Sequence, residues 1–519
     1  MAFLIVFASI ITIVSLSVLL YKKRHQRYYD LLKQFPSPPT YPIVGNLKPS
    51  HLVIDDFMKT VKEVTMHHDR VIYWIGPKPI LLLKKFDDIS VSTDIFLFFH
   101  SFSQWFFARY SQIVLNQNAE RHLSKLTQHW FGTAILNNTF AEWKKSRKLI
   151  IPAFSSEMLE KYCEVLNRKS SALVDKLKLF ADSGEEVDVR KYLLNNNIEG
   201  LLENITGVSI QTKEKEIEEF GDAIEEFILG VGNRALSPWL YPDAINSMYM
   251  KLTGKIKLVK KLHRLPTQIV RENLKDVNEK YHSEKDDSSK RLIDLMRKAR
   301  IQDSTFTETR LKDELLQLTT AACDASSMNT SFTLLMLALH QDAQQKVYEE
   351  ITQLVSEHEV FTSDHLCNHL KYLEQCIRET LRMYDPAALS IRKSQKEHVL
   401  KDNTIIPSDM IIVIMFHLAN QDTALYKNPH KWNPENFSEQ ATASRPKGSH
   451  LSFSMGPRSC PGYKYAILLN KSQIAQIIRC YHVKTSIKEL NPDDLKMEVA
   501  IKSKIGYPIR FTPRKKTGT

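Results

Sequence analysis

No two of the six cysteines stand in a CxxC pair and none has the spacing of a zinc site, which excludes a dithiol redox motif and a structural zinc. There is no Lys/Arg tract interleaved with aromatics and no nucleic-acid-binding motif, although the net charge is +12 and the pI near 9.1. Nucleic acid is therefore set aside as a partner. The positive balance fits an anionic membrane surface or an acidic protein instead. Internal repeats are also lacking, as is a second domain of different composition. At 43% hydrophobic and 25% charged residues, composition sets no class by itself. What is present is length: 519 residues can enclose a cofactor, in one large core or in two fused lobes.

Ala2 to Tyr21 is a run of twenty uncharged, mostly apolar residues, long enough to cross a bilayer as a helix. Lys22-Lys-Arg-His-Gln-Arg27 follows at once, and a basic cluster on that flank stays in the cytosol, so the body of the protein is expected there too. A cleaved signal peptide would carry its charge on the other side of a shorter run, and a mitochondrial presequence would be amphipathic and Arg-rich. The expectation is an uncleaved anchor over 1–21. A basic and Pro-rich linker over 22–50 follows, because Phe35-Pro-Ser-Pro-Pro-Thr-Tyr-Pro42 cannot be helical. In the reducing cytosol no disulfides are expected, and the five Asn-x-Ser/Thr sequons, at Asn137, Asn204, Asn329, Asn436 and Asn470, stay unglycosylated.

Val71-Ile-Tyr-Trp-Ile-Gly-Pro-Lys-Pro-Ile-Leu-Leu-Leu83 has the residues of two strands joined at a Gly-Pro turn. Most of the remainder has helical periodicity, notably 216–229, 256–281, 292–299 and the apolar stretch from Leu311 to His340. Ser283 to Lys290, polar and charged, is expected to be a mobile loop.

Phe453-Ser-Met-Gly456-Pro-Arg458-Ser-Cys460-Pro-Gly462 sets one cysteine among residues suited to cradling a large flat anion. Gly456 allows a tight turn, Arg458 offers a planar charged fork, and Gly462 lets the chain pass close to whatever Cys460 holds. From Tyr463 to Ile478 the pattern is that of a helix, whose free N–H groups and dipole would favour thiolate over thiol. The stretch resembles the haem-binding loop of the cytochrome P450 superfamily, Phe-x-x-Gly-x-Arg-x-Cys-x-Gly. The resemblance runs from the anchor to about residue 510. With Arg-Lys-Leu-Ile-Ile-Pro-Ala-Phe154 and Pro238-Trp-Leu-Tyr-Pro242, it points to the family-four branch abundant in insects.

That resemblance implies a mainly α fold with a small β-rich lobe, preceded by one transmembrane helix, and a haem-binding catalytic domain over 51–519. It assigns Cys460 as axial ligand of haem b (heme, iron protoporphyrin IX). Trp143 and Arg147, at i, i+4 on one helix, match a motif that hydrogen-bonds a haem propionate; Arg392 falls where another propionate arginine usually stands. Glu379 and Arg382 resemble the buried Glu-x-x-Arg pair behind the haem. Asn436 stands where the family has a third, arginine partner, so the lock is expected to be looser. In the oxygen-activating helix Ala321-Ala-Cys-Asp-Ala-Ser326 keeps the acid, Asp324. Ala322 replaces a glycine, however, and Ala325 the threonine that helps deliver protons; Ser326 is a candidate stand-in, turned by about 100°. Alanine at 321 also rules out the ester to haem formed by a glutamate in that branch.

The implied activity is a monooxygenase taking electrons from NADPH through a reductase, with cytochrome b5 as a further partner, at the endoplasmic reticulum membrane. Lys144, Lys145, Lys148 and Lys464 would offer the reductase a basic face. Two alternatives stay open: a haem-thiolate isomerase or dehydratase that needs no dioxygen, and a haem protein that only binds apolar ligands. Phe102, Trp105, Phe106 and Ala388 are candidates to line an apolar substrate pocket.

Overall fold

The structure, a computed structural model, describes residues 20, 23–41, 44–47, 54–91, 127–274, 290–356, 359–497 and 500–514. The expected anchor (apart from Leu20), Phe102, Trp105, Phe106 and most of the stretch 283–290 lie outside them. Among the described residues no helix is long and apolar enough to cross a membrane. The chain divides into two compact units. One is drawn from 1–48, 61–119 and 391–414, the other from 49–60, 120–390 and 415–519.

The smaller unit is built on a four-stranded sheet. Arg70–Ile75 and Lys78–Leu83 form an antiparallel hairpin in which Ile75 faces Lys78, and Gly76 closes the turn at φ +58°. Lys78–Leu83 then runs parallel to Ile411–Ile414, which neighbours Ser390–Lys393. Ile80, Leu81, Leu82 and Leu83 are buried in succession, as an inner strand covered on both faces requires.

The larger unit is mostly helical. Six helices carry the argument: α1 Phe140–Ile150, α2 Arg190–Thr206, α3 Glu214–Ala235, α4 Glu308–Leu339, α5 Lys371–Met383 and α6 Tyr463–Cys480. A small sheet, Glu186–Asp188 with Pro508–Pro513 and Tyr481–Lys484, joins the ends of this unit. The helix expected over 256–281 is described as Lys255–Leu274.

The 32 residues of α4 span about 48 Å and start where the Thr307 hydroxyl accepts the Arg310 N–H. Most of its length is buried, as a helix that crosses the inside of a domain requires. Several of the polar residues on it tie it to its neighbours: Thr330 donates to Asn470 of α6 at 3.0 Å, and three in the first third hold the loop leading to α1. Asp313 accepts from Thr133 N–H at 3.0 Å, Glu314 from Ile135 N–H at 3.1 Å and Gln317 from Leu136 N–H at 2.9 Å. Gly132, at φ +63°, is the residue that lets the loop approach, since a Cβ there would strike the Asp313 carboxyl at 2.0 Å.

Glu314 is fully buried, and it also takes the Ser146 hydroxyl of α1. Burial pushes its carboxyl from the ordinary 4.5 up to about 7, against the lowering effect of Ser146, the Ile135 N–H and Arg310. A carboxyl raised on folding contributes stability that is complete below pH 4.5 and lost as the pH rises through about 7. Stability is expected to fall across that window by up to about 3 kcal/mol, at 1.36 kcal/mol per pH unit. Denaturant midpoints from pH 4.5 to 8 measure it, and Glu314→Gln should flatten the slope.

Candidate functional site

Cys460 lies at the end of a tightly turned loop and at the head of α6. Ser454 at φ +56° and Gly456 at φ +76° reverse the chain; Ser459 N–H then donates to Gly456 O at 3.0 Å and Cys460 N–H to Phe453 O at 2.9 Å. Gly462 is the N-cap of α6, and its own N–H reaches the Cys460 sulfur. A Cβ on Gly462 would meet nothing within 4 Å, so the space at this glycine is open.

The cysteine is exposed, yet protein crowds it enough for burial to raise its thiol pKa. Access and crowding coexist where a side chain faces a hollow inside the fold. The Gly462 N–H and Arg147 pull the other way, as the helix terminus was expected to do, but desolvation outweighs them. The free sulfur is thus held as a thiol, and a metal ion at the hollow would displace its proton.

Trp143 and Arg147 reach the loop from one face of α1. Arg147 donates to Ser459 O at 2.8 Å, and its guanidinium lies 5.6 Å from the Trp143 ring centroid. Arg458 approaches the same ring at 4.0 Å. Burial lowers the pKa of both arginines, that of Arg458 to about 9, because two positive charges are partly withdrawn from water. A carboxylate laid against them would relieve that cost and could accept from both forks and from the indole N–H. The donor set suits a haem propionate, and with the open space at Gly462 and the accessible sulfur it fits haem.

Arg392 is described with the smaller unit, on Ser390–Lys393, where it donates to Ile391 O at 2.9 Å and burial lowers its pKa to about 10. Ala388, in the larger unit, is fully buried and its carbonyl accepts the His417 N–H at 3.1 Å.

On α4 the one break in burial between Asp313 and Ala338 is Ala321, Ala322 and Ala325, a stripe at i, i+1 and i+4 that faces open space with methyl groups alone. Asp324 and Ser326, on either side of Ala325, are both buried off that stripe. Asp324 accepts from Arg190 of α2 at 2.6 Å, and Arg190 also pairs with Glu225 of α3. Nothing in the sequence singled out Arg190.

Behind the loop, Glu379 and Arg382 of α5 form a two-pronged pair at 2.7 and 2.8 Å, with both side chains at 0% exposure. Arg382 also donates to Pro429 O at 2.7 Å and Asn420 O at 3.1 Å. Asn436 keeps a hydrogen bond to Glu379, at 3.0 Å, without bringing charge. A second positive charge comes from Arg445, whose guanidinium lies 4.5 Å from the Tyr426 ring, while Arg382 lies 4.8 Å from the same ring. That arginine went unnoticed in the sequence because no local pattern marks it.

Comparison with known proteins agrees. Residues 95–508 match the family described as Cytochrome P450. Among curated relatives, Cytochrome P450 4g15 of Drosophila melanogaster is 25% identical over 94% of this chain and 93% of its own length. Cytochrome P450 4c21 of Blattella germanica is 24% identical over 92% and 93%, and Cytochrome P450 4d1 of Drosophila simulans 26% over 99% of both. With a cysteine loop of this geometry and a match over most of its length, the chain belongs to the cytochrome P450 family of haem-thiolate monooxygenases, on the insect family-four side.

Proposed function

We propose that this cytochrome P450 is a membrane-anchored monooxygenase that inserts one oxygen atom from O2 into an apolar small molecule. Residues 1–21 anchor it in the endoplasmic reticulum membrane, 22–50 link anchor to body, and 51–519 form the cytosolic catalytic domain. Bound haem supplies the iron at which dioxygen is activated with NADPH electrons passed on by a reductase. Cytochrome b5 is a second electron donor in this reading. Cys460 ligates the iron; Trp143, Arg147, Arg458 and Arg392 hold the propionates; Phe453, Gly456 and Gly462 shape the loop; the Glu379–Arg382 pair braces it. In the larger unit the exposed Trp239, Ile245, Met248 and Leu252 stand close in sequence to Lys251, Lys255 and Lys257, a composition that suits an anionic bilayer surface and supports lipid as a partner.

The observation that carries the reading is the accessible Cys460 sulfur inside crowded protein, with the Gly462 N–H aimed at it. The test is the spectrum of the reduced, carbon-monoxide-bound protein after loading with haem. A thiolate-ligated absorbance that vanishes in Cys460→Ser is expected; an absorbance unchanged by that substitution removes the proposal.

Proton delivery is where this chain differs. Asp324 supplies the acid and Ser326 a hydroxyl one residue past Ala325, but both are buried off the stripe facing the open space and methyl groups pass no proton, so coupling of NADPH use to product is expected to be poor. Ala325→Thr should raise product per NADPH at least about twofold, a small part of the ~100-fold a well-placed acid–base group contributes. An unchanged ratio would clear Ala325 as the cause. The same methyl stripe favours a second reading, isomerisation or dehydration of a peroxide, or plain binding of apolar ligands, where dioxygen-derived protons are not needed. Turnover that requires NADPH separates the first from the others.

A further inference from the structure

Tyr463 is the first residue of α6, next to the N-cap whose N–H reaches the Cys460 sulfur. Its ring meets Phe453 edge to face at 4.7 Å, and Phe453 O accepts the Cys460 N–H, so the two rings bracket the cysteine turn. Its hydroxyl accepts from Arg378 of α5. Arg378 in turn donates to Glu374 at 2.5 and 2.8 Å, and the other Glu374 oxygen takes Lys471 of α6 at 2.6 Å. Lys471 is only 2% exposed while Arg378 and Glu374 are partly buried, so this chain of charges runs inward from the edge of the unit and ties α5 to two points on α6.

We infer that Tyr463 is a positioning residue for the thiolate, its hydroxyl, fixed by Arg378, setting the first turn of α6 and with it the direction of the Gly462 N–H towards the Cys460 sulfur. This rests on the haem-thiolate reading above. The physical link is direct: an N–H donated to a thiolate withdraws negative charge from it and so favours the reduced iron, one of the ways a protein tunes haem potential. Without the phenol–guanidinium contact the turn loosens, the N–H···S bond lengthens, and the oxidised form gains.

The test is the ferric–ferrous midpoint potential of the haem-loaded full chain, measured with its carbon-monoxide spectrum and melting temperature. In Tyr463→Phe, which keeps the ring against Phe453, the equilibrium is expected to move about threefold toward ferric, about 28 mV more negative at 59 mV per tenfold. Arg378→Met, which leaves the cysteine loop untouched, should give the same shift, and the double variant no more than either, because both remove one contact. Arg378→Lys should recover part of it. A merely structural role would lower the melting temperature and leave the potential alone. Parent potential in Tyr463→Phe, or shifts that add in the double variant, would overturn the inference; a parent chain with no thiolate absorbance would instead sink the reading beneath it.

Discussion

Arg382→Ala will cost about 3–5 kcal/mol of stability and release the haem, because it leaves Glu379 buried and charged with no partner of opposite sign in contact. The remaining contacts of Glu379, the Asn436 amide at 3.0 Å and the Asn433 N–H at 2.9 Å, are dipoles and offset little of that. The same substitution orphans the carbonyls of Asn420 and Pro429, so segments 38 and 47 residues away lose their tether at once. Denaturant unfolding read by haem absorbance measures it. Asn436→Arg is expected to destabilise as well, since Arg445 already brings a second cation there, and Arg445→Gln should recover the loss in the double variant.

Arg190→Ala is the second large effect, again about 3–5 kcal/mol. Asp324 at 7% exposure would be left in the core of α4 without its cation, while Glu225, half exposed, would be freed to water. Asp324→Asn, which removes the charge instead of stranding it, should cost less, and in the double variant the costs should not add. Chemical denaturation of the four proteins gives the coupling energy. If the costs simply add, the pair is not what holds α2 to α4. Product per NADPH in Asp324→Asn tests separately whether this acid takes part in proton supply.

Residues whose partners lie within one turn of a helix or one bend of a loop were legible in the sequence. Trp143 with Arg147, Glu379 with Arg382 and the Phe453–Gly462 loop have a spacing that fixes which side chains meet. The hairpin at 70–83 was legible for the same reason, its Gly-Pro turn setting the register. Pairings across 134 to 168 residues were not: Arg190 with Asp324, or Ser146 with Glu314, depend on how α2 and α1 cross α4, and nothing in the local pattern encodes that. Charge at Cys460 was not legible either: the helix terminus can be read from the local pattern, whereas the desolvation that outweighs it is a property of the packed chain. Ser326 shows the same limit. It was a candidate stand-in for the missing threonine hydroxyl, its offset of about 100° left its direction open, and in the packed chain it is buried off the accessible stripe at 3% exposure.

The alanine stripe of α4 has one more consequence. A methyl side chain has no rotamer to give up, so whatever packs against Ala321, Ala322 and Ala325 freezes no motion in that wall and finds no flexible arm that could swing aside to admit it. Along this helix the enclosure behaves as a rigid template, and differences in affinity among guests are set there by their own contour.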